Sequence, residues 1–138
     1  MGANTCLWVG FRFWRVLGAV FVDKLIVFRK TYDYLFWLKP SVERFTKVHK
    51  YSLGIELQAS AVRLLRLIIQ ANYAEIKTDL VAEAQVEHEV QRIFLRLAHD
   101  YKLLSPRQFA YASDKLDEIG RLLRGWHKQS LREQTETE

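Results

Sequence analysis

Histidine and cysteine are the side chains best suited to metal or nucleophilic chemistry, and this chain holds few of them at useful spacings. His49, His88, His99 and His127 stand apart, and none follows a glutamate by three residues, the spacing of metal sites in helix bundles. The single cysteine, Cys6, excludes an internal disulfide and favours a reducing compartment. Phosphate-binding loops, dinucleotide-binding motifs and hydrolase signatures are absent from the sequence. We therefore expect no catalytic residue, no metal site and no cofactor.

Basic side chains are the second group with an evident chemistry, because guanidinium and ammonium groups bind phosphate. The chain has 21 Lys and Arg against 16 Asp and Glu, a balance that permits nucleic-acid binding without requiring it. The candidate phosphate contacts are Arg44, Lys47, Lys50, Arg63, Arg66, Arg92, Arg96, Arg121, Arg124 and Lys128. Since acidic residues are interleaved among them, an ordinary charged surface is the competing interpretation.

The first 22 residues are strongly apolar, with Arg12 and Arg15 as their only charges. These arginines leave too short a run for a spanning helix, and no signal-peptide cleavage pattern follows. Three interpretations of residues 1–22 remain open: a docking segment for a partner protein, a leader from an upstream start codon, or an interfacial helix.

The first predicted helix covers residues 25–45. Its apolar surface is a stripe at helical spacing widened by three neighbours: Leu25, Phe28, Tyr32 and Leu35, then Phe36, Trp37 and Leu38. Pro40 predicts a kink or an end near Lys39. We interpret the aromatic rings as core packing, because a base-stacking platform would need exposed rings.

The second predicted helix covers residues 53–73, with Ser52 as its N-cap. Its main stripe is Leu53, Leu57, Ala61, Leu64, Ile68 and Ala71. Val62, Leu65, Leu67 and Ile69 extend the apolar arc past half of the circumference. A helix this broadly apolar lies deep in a bundle or contacts another subunit.

The third predicted helix begins at Thr78 or Asp79 and reaches Leu104. Its predicted inner stripe is Val86, Val90, Ile93, Leu97, Tyr101 and Leu104, while Phe94, Leu95 and Ala98 carry apolar surface to the far side. We therefore assign Phe94 and Leu95, with Leu65 and Ile69 of the second helix, to a contact between subunits.

The fourth predicted helix has the clearest start. Ser105 and Gln108 form a capping box, and Pro106 suits the first helical position. The inner stripe that follows is Phe109, Ala112, Leu116, Ile119, Leu123 and Trp126.

Four amphipathic helices with short connectors predict an all-α fold, an antiparallel up-down-up-down four-helix bundle. We expect the bundle to cover residues 23–129, between the apolar extension at residues 1–22 and a polar, fraying tail at residues 130–138.

Several stretches resemble one known family when taken together. They are RLAHDYKLLS at residues 96–105, DEIGRLL at residues 117–123, Gly125-Trp126, Tyr32 to Trp37, Leu53-Gly54 and Leu67 to Tyr73. This pattern resembles the four-helix-bundle family that contains the accessory variability determinant (Avd) of diversity-generating retroelements and the ribosomal-RNA intervening-sequence proteins. The chain departs from it at Phe45-Thr46-Lys47, where Phe-Pro-Lys/Arg is typical, and at Arg124-Gly125-Trp126, where Gly-Gly-Trp is common.

The resemblance implies a function and an assembly that composition alone does not give. It implies a ring-shaped homopentamer in the cytoplasm, without catalytic activity, that associates with a reverse transcriptase and with template RNA or cDNA. Such a protein supports mutagenic cDNA synthesis. Two alternatives stay open: an intervening-sequence-type, RNA-associated bundle of unclear role, and a structural oligomer held at a membrane surface by residues 1–22.

Overall fold

A computed structural model describes the backbone of residues 19–137 and the side chains of residues 26–137. Between these limits the chain is helical and contains no strand. The helices are α1 (Ala19–Glu43), the short α2 (Lys47–Lys50), α3 (Leu53–Tyr73), α4 (Thr78–Asp100) and α5 (Pro106–Thr137). The expectations for the N-terminal extension fall on residues 1–18, outside the described residues, except that α1 already begins at Ala19.

The four long helices form an all-α four-helix bundle. Helix α1 packs against α3 and α5, and α4 packs against the same two helices from the opposite corner. Contacts run antiparallel between α1 and α5: Lys30 pairs with Glu118 at 3.0 Å, and seven residues later Trp37 meets Tyr111 at 5.5 Å between ring centroids. The bundle therefore has the predicted up-down-up-down order.

The start of α5 is the predicted capping box. The backbone N–H of Gln108 donates to Ser105 Oγ at 3.1 Å, and the backbone N–H of Ser105 donates to Gln108 Oε1 at 2.9 Å. The predicted inner stripe is buried, apart from a half-buried Phe109. The helix continues to Thr137 with Ser130 buried, so the tail is helical where a frayed segment was expected.

Helix α3 has the predicted bounds and the predicted inner stripe, with Leu53 half-buried. The predicted cap does not form, because Ser52 Oγ accepts no hydrogen bond from a backbone N–H of α3 and instead donates to the carbonyl oxygen of Val48 at 2.9 Å. The connector before it is itself helical, as α2.

The predicted inner face of α1 is only partly right. Leu38 is buried and Phe28, Leu35 and Trp37 are half-buried against the core, whereas Tyr32 and Phe36 are exposed. The other buried residues of the helix are Val27, Thr31, Tyr34, Ser41 and Val42. The helix also runs through Pro40 and ends at Glu43 instead of near Lys39. Phe36 and Pro40 both lie on the exposed side, so water can satisfy the carbonyl that loses its helical donor.

The predicted inner face of α4 is wrong. Val86 and Ile93 are 65% and 62% exposed, and Tyr101 is exposed as well. The residues that face the core are Val81, Ala84, His88, Gln91, Leu95 and Ala98. Two of these six are polar, which explains why an apolar periodicity selected another face.

Helix α4 ends at Asp100 rather than at Leu104. Lys102 adopts a left-handed conformation with φ of 61°. The N–H of Lys102 donates to His99 O and the N–H of Leu103 donates to Ala98 O, both at 2.9 Å. This is the Schellman arrangement, which terminates a helix and turns the chain toward α5.

Candidate nucleic-acid interface

Three of the predicted phosphate-contacting arginines lie together in a groove between α4 and α5. Arg92 comes from α4, and Arg121 and Arg124 come from neighbouring turns of α5. The groove has a volume of about 400 Å³ and is also lined by His88, Asp117 and Gly120. We call these six residues the arginine groove. Residues three and four apart share a helix side, which is why α5 supplies two guanidinium groups at one place.

The charges in the arginine groove are only partly neutralised. Arg92 lies between two carboxylates, with Nη1 3.3 Å from Glu89 Oε1 and Nη2 3.9 Å from Asp117 Oδ1. Among residues 26–137, Arg121 and Arg124 form no ion pair. All three arginines are exposed, so the carboxylate contacts of Arg92 are weak and an arriving phosphate can compete with them. The groove therefore offers two unpaired guanidinium groups to an anion.

His88 forms the floor of the groove, a position that its isolated place in the sequence does not predict. The side chain is buried, and Nε2 lies 2.6 Å from the carbonyl oxygen of Leu116 on α5. Burial lowers the pKa of His88, and the positive charges of Arg92 and Arg124 lower it further. The hydrogen bond to Leu116 and the negative charge of Glu89 act in the opposite direction. The neutral imidazole donates its Nε2 proton to Leu116, since that carbonyl can only accept.

Gly120 is what allows α5 to approach His88. A Cβ atom at this position would lie 2.8 Å from His88 Cε1 and 3.1 Å from His88 Nε2. Both distances are shorter than normal carbon contacts. A glycine within the stripe of an amphipathic helix is the sequence signal that could have located this contact.

Two further predicted residues extend the arginine groove along its helices. Arg96 lies one turn after Arg92 on α4 and contacts Asp100 at 4.0 Å. Lys128 lies one turn after Arg124 on α5 and is exposed. The positive side of α4 and α5 is therefore longer than the groove itself.

Arg63 and Arg66 lie elsewhere, in a groove between α3 and α4 that also contains Glu83 and Glu87. Arg63 Nε lies 3.3 Å from Glu87 Oε1, and Ser60 Oγ donates to the same oxygen at 2.6 Å. These contacts hold the carboxylate in place beside Arg63. The structure does not bring this pair of arginines to the arginine groove.

Arg44, Lys47 and Lys50 lie at the end of the bundle where α1 leads through α2 into α3. His49 stacks on Tyr101 at 5.1 Å, which joins this connector to the one that follows α4. The ten predicted basic residues thus fall into three separate places. The α4–α5 side holds five of them, and within residues 26–137 Arg121, Arg124 and Lys128 of that side form no ion pair.

The residues assigned to a subunit contact have different positions. Leu95 is 1% exposed and belongs to the core, so it cannot contact a second subunit while the bundle is closed. Phe94 and Leu65 are half-buried, and Ile69 is exposed.

No group of three or more His, Cys, Asp or Glu side chains within residues 26–137 is placed to hold a metal ion. Across the part of the chain described by the structure, no helix is both long and apolar enough to cross a membrane.

Comparison with known proteins gives one match. A family model described as bAvd-like matches residues 25–130. Neither a curated protein nor a solved structure matches the chain.

Proposed function

The chain belongs to the bAvd-like family, and on that premise we propose that it is a non-enzymatic accessory protein of a diversity-generating retroelement. It binds nucleic acid through the arginine groove and associates with the reverse transcriptase and its template RNA. The observation that carries the proposal is the convergence of Arg92, Arg121 and Arg124 between two family-matched helices, with two of the three lacking a carboxylate partner.

The chemistry of the groove suits a phosphate backbone. Guanidinium groups bind phosphate oxygens through paired N–H donors, and contacts of this kind position a nucleic acid without reading its sequence. Arg96 and Lys128 continue the same side of α4 and α5. A protein that holds a template at many positions along its length needs contacts of this kind, which do not depend on the base sequence.

We further propose that the protein is a homo-oligomer, and the resemblance to Avd makes a pentamer the expected form. Ile55, Val62 and Ile69 recur every seven residues on the outer side of α3, and all three are exposed. Such a row is typical of a face that packs against another helix. A ring would repeat the arginine groove around its axis and multiply its charge.

Binding of structured RNA to the purified full-length chain, measured on filters across a salt series, tests the proposal. In the double variant R121E/R124E we expect affinity to fall by about twenty-five-fold near 0.1 M salt, because each of two phosphate contacts contributes roughly fivefold there. The matched control is R29E/R132E, which makes the same change of charge at exposed arginines outside the arginine groove. If the control weakens binding as much as the groove variant, the groove is not the binding site.

A further inference from the structure

A second groove, between α1 and α5, combines aromatic rings with cations. It has a volume of about 460 Å³, and its lining includes Phe36, Trp37 and Arg44 from the α1 side and Tyr111 and Lys115 from α5. We call these five residues the aromatic groove. It lies on the opposite side of α5 from the arginine groove, because α5 packs between α1 and α4.

Two rings of this groove are open to solvent, and for Phe36 this contradicts the interpretation of the first helix's aromatic residues as core packing. Phe36 is 74% exposed and Tyr111 is 47% exposed. Trp37 is half-buried and lies between Tyr34, at 6.2 Å, and Tyr111, at 5.5 Å between centroids. Contact with Tyr34, a core residue, holds Trp37 in place. The groove therefore presents ring faces on a rigid base.

The cations beside these rings are not in ion-pair contact with a carboxylate. Within residues 26–137, Arg44 and Lys115 form no ion pair, and Asp33 is the one carboxylate among the lining residues. Lys115 Nζ lies 5.4 Å from the centroid of the Tyr111 ring. A cation at that distance attracts the ring face and stays available to an anion near it.

We propose that the aromatic groove binds a single-stranded stretch of nucleic acid, with bases stacked on Phe36 and Tyr111 and phosphates on Arg44 and Lys115. Exposed rings beside unpaired cations are the chemistry by which proteins bind single strands without sequence preference. An apolar helix would cover the rings but leave Arg44 and Lys115 without an anion, and an acidic peptide would pair with the cations but bring no planar bases to the rings. A single strand supplies both bases and phosphates. The inference rests on the proposed function and adds a preference for unpaired bases.

The test compares two oligonucleotides of equal length and charge, a single strand that carries bases and an abasic strand that carries only the sugar-phosphate backbone. The full-length chain should bind the base-carrying strand more tightly. F36A and Y111A should each weaken that binding by roughly tenfold, since one stacked base contributes that much, and leave the abasic strand unaffected. Y73A is the matched control, because Tyr73 is 85% exposed at the end of α3.

Each outcome of this binding test supports or overturns the stacking inference. If wild-type protein binds both strands equally and with salt dependence, the proposed function stands and the stacking inference is wrong. If neither strand binds but structured RNA does, the stacking inference is wrong and the proposed function stands; if structured RNA does not bind either, both proposals fail. If F36A or Y111A changes the sedimentation coefficient of the protein instead of its preference for bases, the aromatic groove is a contact between copies of the chain, which also overturns the inference.

Discussion

Replacement of Gly120 by alanine tests the close packing of α5 against His88 of α4. Alanine is about 1 kcal/mol more favourable than glycine within a helix, so G120A would stabilise the protein if space allowed. Space does not allow it, because the new Cβ would lie 2.8 Å from His88 Cε1. The imidazole must move or the helices must separate.

The size of the effect follows from what holds His88. The ring is buried and its Nε2 lies 2.6 Å from Leu116 O, so displacement gives up a hydrogen bond of about 1 kcal/mol. Overpacking of a buried contact adds about 1–3 kcal/mol. After subtraction of the helix preference, G120A should lower the free energy of unfolding by about 1–3 kcal/mol.

Gly125 supplies the matched control on the same helix. No atom lies within 4 Å of a Cβ built there, so G125A should raise the free energy of unfolding by about 0.5–1 kcal/mol. The measurement is urea unfolding of both full-length variants at one protein concentration, followed by circular dichroism. Equal stabilisation by G120A and G125A would refute the proposed packing of His88 against α5.

Two further predictions concern protonation and assembly. Burial lowers the pKa of His88, so the unfolded chain binds more protons; stability should be highest above about pH 6.5 and fall as the pH drops through the lowered pKa. In H88Q the urea midpoint of unfolding should change less with pH between about pH 7.5 and about pH 5.5 than in the wild type. An equal pH dependence in both proteins would contradict the prediction that His88 is protonated more easily in the unfolded chain. V62E/I69E should convert the oligomer to folded monomers in sedimentation velocity, whereas V86E, exposed on α4, should not. A wild-type monomer would refute the proposed assembly.

The sequence predicts the inner faces of α3 and α5 because the main apolar stripe of each helix recurs at steps of three and four residues. On α5, Leu116, Ile119 and Leu123 are all buried as their spacing indicates. The capping box also forms as predicted, since it depends only on residues close together in the chain.

The inner face of α4 could not be found from hydropathy because two of its core residues are polar. Gln91 Nε2 donates to Tyr34 OH at 2.7 Å inside the bundle, and His88 bonds to Leu116 O. Buried polar groups become acceptable only through such partners, which belong to other helices. The spacing of apolar residues therefore predicts Val86 and Ile93 as core residues, although both face solvent.

The sequence predicts which basic residues are candidates for the site, but not which of them lie together in the fold. Arg92, Arg121 and Arg63 are each evident as basic residues off an apolar stripe. Arg92 lies beside Arg121, whereas Arg63 pairs with Glu87. These contacts depend on the alignment of neighbouring helices, and the sequence of one helix does not specify that alignment. The exposure of Phe36 and Tyr111 depends on the same packing.

The most direct test of the central claim is the salt dependence of single-strand binding by the wild type, R121E/R124E and R29E/R132E. Loss of two phosphate contacts should reduce the slope of log K against log salt by about 1.4, since each contact to a single strand contributes about 0.7. The control should keep the wild-type slope. A groove variant with the slope and affinity of the control would contradict the account that the arginine groove between α4 and α5 holds the nucleic-acid backbone.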